Sequence, residues 1–94
     1  SYELIAYKHL VGIAICIYVA GKHRNHIKNI QMVNSATGIF GVVGNKGGSS
    51  IRFRFYDSTL CFVCSHLAAH RGNVTGRNHD YASILSKTKF NTPC

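Results

Sequence analysis

The chain has 94 residues, of which 46% are hydrophobic and one is proline, a composition typical of an ordered globular segment and not of a disordered tail. This length has room for one domain at most. Eleven lysines and arginines against three carboxylates give a formal net charge of +8, which favours contact with polyanions or an anionic membrane. The three acids, Glu3, Asp57 and Asp80, lie far apart in the sequence. They are a poor supply of the oxygen ligands that hard cations prefer, which argues against a complete metal-dependent hydrolase.

The cysteines, Cys16, Cys61, Cys64 and Cys94, raise the question of a disulfide frame or a zinc site. Cys61 and Cys64 have the C-x-x-C spacing of a zinc knuckle. Cys16, Cys61 and Cys64, however, lie inside apolar runs rich in β-branched residues, where a free cysteine packs as a small hydrophobic side chain. The pattern favours buried, reduced thiols and therefore a reducing compartment.

The longest apolar run, residues 10–20, is too short for a membrane-spanning helix, which needs about 20 residues. Its many Ile and Val residues predict a strand at residues 10–19 that is covered on both faces, with a short buried helix as the alternative. Residues 21–26 end the run with a turn signal and a cluster of positive or titratable groups. Apolar residues then follow at irregular spacing in 27–33. Residues 21–33 are therefore predicted to form a loop with one short helical turn.

A glycine-rich loop follows the next predicted strand. Residues 36–43 read as that strand, and residues 44–48, G-N-K-G-G, contain three glycines that permit positive φ angles and close backbone approach. One interpretation is a tight turn with a solvated Lys46. The other is an anion cradle, in which backbone N–H groups and the Lys46 ammonium face a phosphate.

A β-hairpin is the clearest local prediction. Residues 51–55, I-R-F-R-F, alternate, which predicts that the apolar side chains are buried and that Arg52 and Arg54 point outward. Residues 57–59 supply a turn, and residues 60–65 return as a buried strand.

A helix is predicted after the hairpin, because the spacing of apolar residues changes. The residues compatible with one face of this helix are Val74, Tyr81, Ile84, Leu85 and Thr88. Asn73 or Thr75 offers the oxygen that would cap its first turn.

Two further features are candidates for phosphate chemistry. His66 ends a predicted strand, where an imidazole is placed to donate a hydrogen bond or a proton to a phosphoryl oxygen. The position of His66 in the sequence, taken alone, favours a structural role for this histidine. Arg71, Arg77 and Asn78 lie around the start of the predicted helix, where arginine grips anions well, although pairing within the protein is the commoner role.

Taken in chain order, the motifs point to one family. They are T-G-I-x-G-x-x-G-N-K-G-G at residues 37–48, I-R-F-R-F at 51–55, C-F-V-C-S-H-L-A-A-H at 61–70 and R-N-x-D-Y at 77–81. This order strongly resembles the inositol polyphosphate 5-phosphatase catalytic domain, in its synaptojanin-like and oculocerebrorenal-type branches. The resemblance runs over residues 10–90, nearly the whole chain.

The resemblance implies an α/β fold that is part of the four-layer sandwich of DNase I-like nucleases and phosphatases. It also implies Mg²⁺-dependent removal of the 5-phosphate from phosphoinositides or soluble inositol polyphosphates. By motif match, His66 is the catalytic residue that contacts the scissile phosphate, and Asn45 and Lys46 bind substrate. Arg77 and Asn78 are implied to brace the active-site face without touching substrate.

Two segments that supply metal and catalytic groups in the resembled family, W-x-G-D-x-N-x-R and P-x-W-C-D-R, do not occur in this chain. We therefore expect the Mg²⁺ ligands outside it, and interpret residues 1–94 as an internal segment of one catalytic domain that is incomplete at both ends. The expected partners are a phosphoinositide or inositol polyphosphate substrate and an anionic membrane surface. The expected location is cytoplasmic and peripheral on membranes.

Two alternatives remain open at the level of sequence. One is a stand-alone basic module that binds phosphoinositides or nucleic acid through Lys46, Arg52, Arg54 and Arg71. The other is a nuclease relative on the same fold, because a fold alone does not decide between phosphomonoester and phosphodiester. Nucleic acid is not the expected partner, since the aromatic residues within 51–55 alternate to the face opposite the arginines, which disfavours a stacking platform.

Overall fold

The computed structural model describes residues 1–10, 12–37 and 46–90. Within these ranges the chain forms five strands, one short 3-10 helix and one α-helix. In chain order they are β1 (Tyr2–Leu10), β2 (Ile13–Ala20), the 3-10 helix (Gly21–His26), β3 (Ile27–Ala36), β4 (Gly47–Phe55), β5 (Ser58–His66) and α1 (Val74–Lys87).

The strands form two antiparallel sheets. β1 and β2 make a hairpin, and β3, β4 and β5 make a three-stranded sheet with β4 in the middle. The sheets pack face to face over a core formed by Ala6, Val19, Ile27, Ile51 and Phe53. Because side chains alternate along a strand, this arrangement uses one face of β4 and leaves its other face for the helix.

Helix α1 packs on that second face. Ile84 is its buried residue, at 5% exposure, and it lies against Gly48 of β4. A Cβ atom on Gly48 would come within 2.9 Å of Ile84 Cγ2, so the absence of a side chain there brings the helix close to the sheet. The predicted helix is confirmed, and the Asn73 side chain caps it by accepting a hydrogen bond from the Gly76 amide at 3.0 Å.

Two predictions for the first half of the chain need correction. The strand predicted at residues 10–19 exists as β2, but it begins at Ile13 and its exposure alternates, so it is not covered on both faces. The loop with one helical turn predicted over residues 21–33 is right only in its first part. Residues 21–26 form the 3-10 helix, but residues 27–33 lie in β3. A β-bulge between Lys28 and Gln31 adds one residue to β3, and this bulge accounts for the irregular spacing of apolar side chains.

The β4–β5 hairpin is confirmed, but the outward orientation predicted for Arg52 is wrong. Arg52 is 7% exposed, whereas Arg54 is exposed. Both belong to the face that carries α1. Arg52 lies in the middle of the central strand, in register with Gln31 of β3 and Cys61 of β5, so neighbouring strands flank it on both sides. Alternation alone could not distinguish the two arginines.

The burial predicted for residues 60–65 is also wrong. They form part of β5, but Phe62 is 44% exposed and Val63 is 52% exposed, because β5 is the outer strand of its sheet among the described residues. Cys16 and Cys61 are exposed and Cys64 is half-buried, so their predicted burial is not observed. Cys16 and Cys64 are free thiols.

The strand predicted at residues 36–43 falls mostly outside the described residues, and Ala36 is the last residue of β3. Among the described helices, none combines the length and the apolar character that a membrane crossing requires.

Candidate functional site

The pairing of β4 with β5 defines one end of the three-stranded sheet as the candidate site. Gly47, the first residue of β4, is in register with His66, the last residue of β5. Lys46 directly precedes β4, so it emerges at the same end. Its Nζ atom lies 3.0 Å from Nε2 of His66, and both side chains are half-buried.

The hydrogen bond between these side chains fixes the state of the imidazole. A lysine ammonium can only donate, so His66 Nε2 must accept, and in the neutral ring the proton then sits on Nδ1. Nδ1 is buried and has no hydrogen-bond partner among the described residues. An unsatisfied buried donor costs about 1–3 kcal/mol in desolvation, a cost that functional sites often retain.

Glycine at position 47 is required for the placement of Lys46. Gly47 has φ of +148°, and a Cβ atom there would lie 2.3 Å from the Ser35 carbonyl oxygen and 2.9 Å from Cα of Ala36. The chain therefore passes closer to β3 than any other residue would permit. The Thr37 amide donates to the Lys46 carbonyl oxygen at 3.1 Å, which ties the lysine backbone to the chain just after β3.

The loop that follows His66 is held by side chains of α1. The Ala68 amide donates to Oδ2 of Asp80 at 2.9 Å. The Arg77 guanidinium donates to the carbonyl oxygens of His70, at 2.5 Å, and Arg71, at 2.9 Å. Arg77 thus contacts backbone of the loop, and its two terminal nitrogens are engaged there.

The other predicted site residues are placed as follows. Asn78 lies exposed on the first half of α1, and Arg71 is exposed in the loop. Asn45 lies outside the described residues, so the structure does not address its predicted contact with substrate. The structure brings Lys46 and His66 together, which the sequence did not predict as a contact.

Asp80 belongs to this site, although it was not predicted as a site residue from the sequence. Its side chain is 15% exposed and its carboxylate binds the backbone two residues after His66. The motif R-N-x-D-Y contains the signal: Arg77 and Asp80 are three residues apart on a helix and therefore share a face. Both reach the same loop.

The described residues do not form a divalent-cation site. No group of three or more His, Cys, Asp or Glu side chains in residues 1–10, 12–37 and 46–90 could hold a metal ion. Asp80 Oδ2 already accepts from Ala68. Glu3 near the start of β1 and Asp57 in the β4–β5 turn lie at the opposite end of the sheets, about 27 Å away for a nine-residue strand.

A family model, endonuclease/exonuclease/phosphatase family 2, matches residues 1–93. The type II inositol 1,4,5-trisphosphate 5-phosphatase of Mus musculus is 40% identical over 96% of this chain and 9% of that protein. Synaptojanin-1 of Homo sapiens is 38% identical over 96% of this chain and 6% of that protein. The type IV inositol polyphosphate 5-phosphatase 7 of Arabidopsis thaliana is 40% identical over 96% of this chain and 16% of that protein.

A solved structure is similar as well. The inositol polyphosphate 5-phosphatase domain of SPsynaptojanin, in complex with inositol (1,4)-bisphosphate and calcium ion, superposes with a TM-score of 0.87 at 39% identity. The match covers 96% of this chain and 26% of that chain. The chain thus spans about a quarter of the solved domain and less than a fifth of each curated relative named above. The resemblance and the fold class predicted from the motifs are confirmed.

Proposed function

Because the chain belongs to endonuclease/exonuclease/phosphatase family 2, we propose that it forms the Lys46–His66 part of the active site of a metal-dependent inositol polyphosphate 5-phosphatase. The observation that carries the proposal is the 3.0 Å contact between Lys46 Nζ and His66 Nε2. An ammonium and an imidazole at this separation can both reach one oxygen of a phosphate group.

The proposed substrates are inositol polyphosphates and phosphoinositides that carry a 5-phosphate. One relative is named for inositol 1,4,5-trisphosphate, and the solved neighbour contains inositol (1,4)-bisphosphate. The bisphosphate is what remains when the trisphosphate loses its 5-phosphate. The two names therefore describe a substrate and its product, and both support hydrolysis at position 5.

In this proposal Lys46 and His66 act by charge and by hydrogen bonding. Lys46 supplies a fixed positive charge to a phosphate oxygen, and the incoming oxygen replaces His66 Nε2 as an acceptor for the ammonium. The Nε2 atom of His66, no longer engaged by Lys46, then faces the same phosphate group. Groups that are positioned in advance for the charge of the transition state need little reorganisation during the reaction, which is the main source of such catalysis.

Mg²⁺ is the proposed cofactor. A bound divalent cation would offset charge on the phosphoryl oxygens and lower the pKa of an attacking water. We propose that its ligands lie outside this chain.

We further propose a peripheral association with anionic membranes on the cytoplasmic side. The formal charge of +8 supports attraction to an acidic lipid surface. The free thiols of Cys16 and Cys64 are compatible with a reducing compartment.

A chimaera tests the proposed function. This chain would replace the matching quarter of the SPsynaptojanin phosphatase domain, and phosphate release from inositol 1,4,5-trisphosphate would be measured with Mg²⁺. We expect EDTA-sensitive turnover that falls by about 10²-fold when His66 is replaced by Ala. Ser86→Ala, on an exposed part of α1, is the matched control and should leave the rate unchanged. A folded chimaera with no turnover, or one that is indifferent to His66→Ala, would contradict the proposal.

A further inference from the structure

We propose that helix α1 sets the separation of Lys46 and His66, with Asp80 as the positioning residue on the histidine side and Lys87 on the lysine side. The inference rests on the proposed function, because it concerns the same two side chains. It assigns a role to two residues, neither of which is expected to touch substrate.

Asp80 fixes the chain where it leaves β5. Its Oδ2 atom accepts from the Ala68 amide at 2.9 Å, two residues beyond His66. The carboxylate is largely buried, with the side chain 15% exposed, and a hydrogen bond to a charged group is worth more than one between neutral groups. A displacement of Ala68 would move the backbone that carries the imidazole.

Lys87 acts at the other end of the same helix. Its Nζ atom donates to the Ala36 carbonyl oxygen at 3.0 Å. Ala36 is in register with Gly47, so this bond fixes the strand against which the Lys46 segment packs.

Two neighbouring contacts reinforce the lysine side. Thr88 Oγ1 donates to the Ile84 carbonyl oxygen at 2.6 Å, so in its 3.1 Å contact with Ser35 Oγ the serine must donate. Ile84 itself lies against Gly48, one residue after Gly47. The end of α1 therefore contacts both strands next to Lys46.

Helix α1 links the two anchor residues, Asp80 and Lys87, as one rigid element. Asp80 and Lys87 are seven residues apart in a helix of 14 residues, so about 10 Å of regular helix separates them. One helix holds the loop after β5 and the end of β3, which is paired with the start of β4. The gap between the imidazole and the ammonium therefore follows the position of the helix. A bond broken at either anchor should widen that gap without removing either functional side chain.

The first test uses the whole 94-residue chain and needs no activity. Nitrogen-15 NMR of the His66 ring reports its tautomer, and the structure predicts the proton on Nδ1. Asp80→Ala should shift the ring towards a mixture of tautomers, because Lys46 no longer stays within hydrogen-bond distance. Asp80→Asn keeps an oxygen that can accept from Ala68 and should preserve the parent spectrum. An unchanged His66 spectrum in a folded Asp80→Ala chain would overturn the inference.

A variant at the second anchor keeps the inference testable if Asp80→Ala fails to fold. Lys87→Met retains most of the length of the side chain but removes the donor to Ala36. It should change the tautomer mixture of His66 in the same direction as Asp80→Ala does, although Lys87 lies at the other end of the helix from Asp80. Ser86→Ala, which loses only a bond to its own helix, should match the parent. A Lys87→Met spectrum identical to that of Ser86→Ala would count against the inference.

Kinetics in the chimaera provide the second test. A positioning role predicts that Asp80→Ala lowers kcat about 10-fold, with KM within twofold, and that Asp80→Asn restores most of the rate. A purely structural role would instead lower the melting temperature and leave kcat unchanged at temperatures where the domain is folded, which would overturn the inference. If the parent chimaera is inactive, the proposed function fails, and the NMR measurement still decides the role of α1.

Discussion

Lys46 Nζ and His66 Nε2 lie 3.0 Å apart although 20 positions separate the two residues in the chain. The contact follows from the hairpin, because the residue before β4 and the last residue of β5 meet at one end of an antiparallel pair. It places the glycine-rich loop and the S-H-L-A-A-H motif in one site. The neighbouring segment, 38–45, includes Asn45 and lies outside the described residues.

The isolated chain should have no 5-phosphatase activity. The described residues offer no cluster of metal ligands, and metal-assisted hydrolysis requires one. Phosphate release from inositol 1,4,5-trisphosphate with Mg²⁺ should equal the rate without protein. Turnover by the isolated chain that EDTA abolishes would mean that the chain binds the metal itself.

Gly47→Ala should destabilise the chain strongly. The φ of +148° is unfavourable for alanine, and the new Cβ would meet the Ser35 carbonyl oxygen at 2.3 Å. We expect a loss of about 2–4 kcal/mol in the free energy of unfolding, measured by urea denaturation. Gly72→Ala is the control, because a Cβ there meets nothing within 4 Å, and it should change stability by less than about 1 kcal/mol. Equal effects of the two substitutions would show that Gly47 is not constrained as described.

Substitutions of Lys46 and of Arg54 should lower the rates on different sets of substrates. Lys46→Ala in the chimaera should weaken use of both soluble inositol phosphates and phosphoinositide vesicles, since a charged contact to phosphate is worth about 1.5–3 kcal/mol. Arg54 is exposed near the far end of β4, so Arg54→Gln should affect only vesicles. That effect should be at most about 1 kcal/mol and should fade as salt rises.

Rates on inositol 1,4,5-trisphosphate and on vesicles, each at two salt concentrations, distinguish the two residues. A loss on the soluble substrate from Arg54→Gln would place that arginine nearer the site than the structure does.

The sequence predicted those parts of the fold whose signal is local. The I-R-F-R-F alternation and the turn after it gave the β4–β5 hairpin, and the change of spacing after His70 gave α1. β3 was missed because its bulge breaks the period of two on which strand prediction depends. The burial of Arg52 depends on which strands flank β4, and a single strand's pattern does not contain that information.

The sequence identified individual residues of the candidate site but not the contacts between them. The motifs singled out Lys46 and His66, yet their contact requires the register of β4 against β5, which no local pattern fixes. The role of Asp80 depends on where α1 lies relative to the loop after His66. Both are tertiary relationships, and helix or strand periodicity does not determine them.

The central claim is that Lys46 and His66 act on the same phosphate, and a double-mutant cycle in the chimaera tests it most directly. The values of kcat/KM would be measured for Lys46→Met, His66→Ala and the double variant on inositol 1,4,5-trisphosphate. If the two side chains act as a unit, the double variant should lose little more than the worse single variant, with a coupling of about 1–3 kcal/mol. Losses that add within about 0.5 kcal/mol would mean that the residues act independently, and would contradict the account.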